Sequence, residues 1–94
     1  MDKITKDRLG KYYKITEEAI DKAKLSKSKF SDDIRNDFLN MIESYFKDAK
    51  YFEDKGDIVS AFAALNYAHG WLDAGARIGV FIVKDSRLFT VWKL

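Results

Sequence analysis

Apolar residues recur along this chain at steps of three and four, the spacing of one face of an α-helix. Leu9, Tyr12, Tyr13, Thr16, Ala19, Ile20 and Ala23 form the first such face and predict a helix over about residues 4–25. Leu25-Ser26-Lys27-Ser28-Lys29 interrupts it with residues that favour turns and caps. Ser31 is placed to cap a second helix, with Asp32 and Asp33 in a first turn where the helix dipole favours negative charge. Ile34, Phe38, Met41, Ile42, Tyr45, Ala49 and Phe52 trace its apolar stripe and predict a helix over about 32–55. Gly56 suits the left-handed residue after a helix, and Asp57 can cap the next one at once. So short a connection makes the second and third helices antiparallel neighbours.

The third helix, expected over about 58–83, carries two apolar faces. Ile58, Ala61, Phe62, Leu65, Ala68, Leu72, Ala76 and Val80 define the main one, rich in small residues that permit close approach. Tyr67, Trp71, Ala74, Ile78 and Phe81 run down nearly the opposite side. Two covers are therefore needed. The first two helices supply one, and the tail, about 84–94, or a second molecule supplies the other. The tail concentrates apolar residues in Leu88-Phe89-Thr90-Val91-Trp92-Lys93-Leu94, and a lone strand is unstable in water. The predicted class is all-α: one domain, an antiparallel three-helix bundle with an extended C-terminal arm lying on its own bundle or on a neighbour.

Composition is consistent with this. A chain of 94 residues with 47% hydrophobic and 15% aromatic residues can close one core. Lys and Arg number 17 against 15 Asp and Glu, and the resulting +2 is too balanced for a nucleic-acid signature. The charges are nonetheless segregated: residues 1–30 hold nine basic and five acidic side chains, net +4, and residues 31–57 hold four and eight, net −4. The first two helices should attract one another side by side, although exposed pairs contribute only about 0–1 kcal/mol each. Cysteine is absent, which excludes disulfides and thiolate metal sites. The polar start Met1-Asp2-Lys3-Ile4-Thr5-Lys6 lacks a signal-peptide core, no apolar run could span a bilayer, and proline is absent. A cytoplasmic protein of long helices is expected.

Candidate chemistry is sparse. Asn66, Asp73 and Arg77 lie close together around the third helix, with His69 nearer the core, a polar stripe that could hold an anion or polar ligand through Arg77. The plainer reading satisfies these groups internally: Asp73 with Arg77 and His69 at four-residue spacing, and Asn66 with a neighbouring helix. His69, the single histidine, would need a partner and a concave pocket to act as acid or base, and a small bundle offers little concavity. One histidine and no cysteine leave no metal-ligand set, and neither a catalytic residue nor a cofactor is expected. Gly70, Gly75 and Gly79 lack the strand and the Lys-Ser/Thr of a phosphate loop, so close helix packing is their better explanation. Lys6, Lys11, Lys14, Lys22 and Lys24, balanced by Asp7, Glu17, Glu18 and Asp21, read as a solvated face rather than an RNA surface.

The run from Gly56 to Gly79, with Asn66-Tyr67-Ala68-His69-Gly70-Trp71-Leu72-Asp73 at its centre and Leu88-Phe89-Thr90-Val91 beyond, resembles the archaeal domain-of-unknown-function family 357. The resemblance extends over the chain in pattern, with its specific part between Gly56 and Gly79. It implies an archaeal cytosolic helical bundle and brings no activity or site residue.

The sequence thus points to a non-enzymatic helical interaction module that self-associates or binds another protein. Its expected contact surface is Tyr67, Trp71, Ile78, Phe81, Phe89 and Trp92. The rival is a small-ligand or nucleotide-linked accessory domain using Asn66, His69, Asp73 and Arg77.

Overall fold

A computed structural model describes residues 5–89. Three helices, α1 (Lys6–Leu25), α2 (Asp32–Asp54) and α3 (Ile58–Ile78), form an all-α three-helix bundle without strands among the described residues. Each helix starts at a side-chain cap. Arg8 donates its backbone N–H to Thr5 Oγ1 at 3.2 Å, Ile34 to Ser31 Oγ at 3.3 Å, and Ser60 to Asp57 Oδ1 at 3.0 Å. These bonds satisfy amides that have no partner inside the helix.

The α2–α3 turn is as tight as expected. Gly56, at φ +80°, donates to the Glu53 carbonyl at 2.9 Å while Asp57 donates to that of Phe52 at 2.9 Å, the paired closure that ends a helix on a left-handed residue. Asp57 thereby finishes α2 and caps α3. The antiparallel pairing is visible in side chains: Phe38 meets Trp71 edge-to-face at 5.0 Å, and Tyr45 stacks on Tyr67 at 5.3 Å.

α3 packs most extensively on α2, less on α1, while α1 and α2 meet least. The segregated charges of the first two helices therefore do not bring them together as expected. An ion pair, Lys24 to Glu43 at 2.6 Å, bridges them, and Arg35 of α2 donates to the last carbonyls of α1, those of Ala23 and Lys24. Burial of apolar surface on α3 decides the arrangement, because exposed ion pairs are each worth so little.

α3 ends at Ile78, not near residue 83. Gly79 turns left-handed at φ +89°, and the amides of Gly79, Val80 and Phe81 converge on the Gly75 carbonyl at 3.1, 2.8 and 3.2 Å. The chain then doubles back. Ile82 donates to the Lys27 carbonyl at 2.8 Å in a single antiparallel bridge, and Lys29 donates to that of Gly79 at 2.8 Å. A tight turn at Asp85 follows, with Leu88 and Phe89 donating to its carbonyl at 3.1 and 2.9 Å. Lys22 pairs with Asp85 at 3.0 Å and Arg87 with Glu18, so the tail lies along α1 of its own bundle as far as Phe89.

This path corrects two assignments. Phe81 and Phe89, expected on an outward contact surface, are 0% and 2% exposed and join Ile20, Ala23, Ile42 and Leu72 in the core. Leaving the helix at Gly79 is what lets Phe81 swing inward. Trp92, also expected on that surface, lies outside the described residues.

Candidate functional site

With the tail lying on α1 as far as Phe89, the outer side of α3 is covered, among the described residues, by α2 alone. Trp71 is half-buried against Phe38, and Tyr67 leans on Tyr45 yet stays 62% exposed. Ile78 and Val59, at the two ends of the helix, are 53% and 70% exposed. Ala63, Gly70 and Ala74 between them are exposed as well. The result is an uncharged outward strip along the whole length of α3. Single exposed apolar residues are ordinary, whereas a contiguous row is the mark of a contact surface.

An open groove of about 350 Å³ runs beside the strip, lined by Phe38, Asn66, Tyr67, Gly70, Trp71 and Ala74. Gly70 leaves it open: among the described residues, a β-carbon there would meet nothing within 4 Å. The other two glycines of this region serve the fold itself. A β-carbon on Gly75 would stand 2.6 Å from the Phe81 ring, and Gly79 holds the left-handed terminus. Close packing within the chain thus explains Gly75 but not Gly70.

The polar stripe borders this strip on the α1 side. Tyr12 donates its hydroxyl to Asn66 Oδ1 at 2.8 Å, and its ring stacks on Phe62 at 5.1 Å and on His69 at 5.6 Å. Burial, and next the charge of Asp73, raise the Tyr12 hydroxyl's pKa, so it stays a neutral donor. His69 Nε2 lies 2.9 Å from the Leu88 carbonyl and 3.9 Å from Asp73 Oδ1. Against a carbonyl, Nε2 must carry the proton, so His69 pins the tail turn to α3. Asp73 and Arg77 also have interaction partners. Two members of the stripe predicted from sequence thus join elements, Asn66 tying α3 to α1 and His69 tying it to the tail turn.

A further cleft of about 300 Å³ between α1 and α2 holds Tyr13, Lys14, Glu17, Phe46, Lys50, Glu53 and Asp54. Burial, then the charge of nearby Glu53, push the Tyr13 hydroxyl up to about 12, too high for proton transfer near neutrality. The Lys50 ammonium lies 5.1 Å from the centre of the Phe46 ring. Among the described residues, no group of three or more His, Asp or Glu could hold a metal ion, and no helix is long and apolar enough to cross a membrane.

Of the six surface residues expected from sequence, the structure leaves Tyr67, Trp71 and Ile78 at the outer face of α3. It adds Val59, Ala63 and Gly70, which the sequence reading did not include. Their signal was available, since all three keep the three- and four-residue spacing of Tyr67, Ala74 and Ile78. No curated protein and no solved structure matches the chain. The model of a family described as "Protein of unknown function (DUF357)" matches residues 11–81, and the chain belongs to that family.

Proposed function

We propose that this protein is a non-enzymatic helical interaction module that self-associates through the outer face of α3. The observation that carries this reading is the row Val59, Ala63, Tyr67, Ala74 and Ile78, exposed on a helix whose following segment lies on α1 as far as Phe89. A chain of this size gains from burying such a row against a partner, because its own core removes only a modest share of its surface from water. The polar stripe supports no rival of equal weight: Asn66 and His69 are bonded within the chain.

The test is a concentration series followed by the amide resonances of the labelled protein. Resonances of α3 residues on the outer row, Tyr67, Gly70 and Ile78 first, should move as concentration rises, while those facing α1 stay fixed. Shifts that ignore concentration, or that cluster on α1, would refute the proposal.

A further inference from the structure

We infer that the partner on this face is a second copy of the chain, docked antiparallel in one register with Tyr67 of each copy seated over Gly70 of the other. The inference rests on the self-association proposed above and adds the partner's identity, direction and register.

The outward row Val59, Ala63, Tyr67, Gly70, Ala74, Ile78 advances by four, four, three, four and four residues, a series that reads the same in both directions. Its outer members match in the same way: β-branched then alanine from one end, β-branched then alanine from the other. A twofold interface demands this property, because whenever residue i meets residue j, j must meet i. Turned end for end over its copy, the row sets Val59 against Ile78, Ala63 against Ala74 and Tyr67 against Gly70, each pair occurring twice. The middle pair is unlike in size, and that is the complementarity: a ring that is 62% exposed faces the position where a β-carbon would meet nothing within 4 Å. The facing alanines let the two helices approach closely.

Two further observations agree. Gly70 sits inside a helix, where glycine is disfavoured, and no contact among the described residues requires it. Second, α3 carries no Asp, Glu, Lys or Arg between Ile58 and Leu72, so this register buries no facing charges along most of its length. At each end it brings Arg77 opposite Ser60 of the other copy, whose hydroxyl donates to the Asp57 carboxylate at 2.7 Å. Positive charge thus meets negative at both ends of the pair. A parallel copy would instead stack Tyr67 on Tyr67 and leave Gly70 facing Gly70, a clash beside a void.

Because the chain has no cysteine, thiols can be introduced one at a time. Ala63→Cys and Ala74→Cys, mixed and mildly oxidised, should give a disulfide dimer containing one of each. Either variant alone should not cross-link, since eleven residues of helix put like positions about 16 Å apart, well beyond the roughly 4 Å between β-carbons of a disulfide. In parallel, Gly70→Tyr and Tyr67→Gly should each abolish the dimer, and the exchange Y67G/G70Y should restore it, because a ring again faces a glycine. Thermal melts confirm that each variant is folded. A dimer in which single variants cross-link with themselves, in which the mixture does not cross-link, or which the exchange fails to restore, overturns this register while self-association stands. A wild-type chain that stays monomeric at millimolar concentration overturns both, and association only with a different protein does the same.

Discussion

The Phe81 ring lies 2.6 Å from where a β-carbon on Gly75 would stand, and Gly75's carbonyl receives the amide of Phe81 at 3.2 Å. Gly75 therefore seats the aromatic residue that follows α3 and accepts its amide, while Gly79 makes the left-handed turn that ends the helix. Gly75→Ala should destabilise the fold by about 1–3 kcal/mol through overpacking, less the ~1 kcal/mol that alanine gains in a helix. Chemical denaturation measures it; a stabilised variant would show that Phe81 does not need the space.

Gly70→Ala should behave oppositely. With open space around the site, the substitution should raise the stability of the monomer by up to about 1 kcal/mol. Measured at a concentration too low for association, a loss of stability would mean that something in the chain does pack there.

His69→Ala removes the donor to the Leu88 carbonyl and the ring that stacks on Tyr12. Leaving that carbonyl without its partner should cost about 1–3 kcal/mol. The tail should also open first, so trypsin should cut after Lys84 and Arg87 sooner than in the wild type. Unchanged cleavage would remove His69 from its role as the pin.

Three carboxylates hold pKa values below their ordinary range. Asp57 is lowered by its bonds from the Ser60 hydroxyl and amide, Glu18 chiefly by Arg87, and Asp85 chiefly by Lys22. Such a group contributes stability above its unfolded-state pKa and loses it as pH falls through the lower, folded-state value. Stability should therefore be level near neutrality and fall below about pH 4. Asp57→Asn, whose amide oxygen can still cap α3, should make that acid decline shallower. An unaltered decline in its denaturation midpoints would remove Asp57 as a contributor.

The α2–α3 hairpin was legible because Gly56-Asp57 acts locally: a left-handed residue and a cap need only their immediate neighbours. The end of α3 was not. Val80-Phe81-Ile82-Val83 continues an apolar period, and Gly79 looks in sequence like Gly70 or Gly75. Only in the fold do the three separate: Gly79 turns left-handed, Gly75 makes room for Phe81, and Gly70 does neither. Periodicity likewise showed that α3 has two apolar faces without showing which segment covers each. The tail was free to cross Trp71, but Lys22, Glu18 and His69 hold its described part, as far as Phe89, on the side of α1. Charge asymmetry misled for a related reason, since it reports a weak exposed attraction while the buried face of α3 sets the packing.

The central claim is that the outer face of α3 is a self-association seam, and the solution mass of the wild-type chain tests it most directly. Sedimentation equilibrium from micromolar to millimolar concentration should show the mass rising from 10.9 kDa toward twice that value. Ile78→Glu should hold it at the monomer. A mass fixed at 10.9 kDa throughout, or a dimer indifferent to Ile78→Glu and to Tyr67→Glu, would contradict the account.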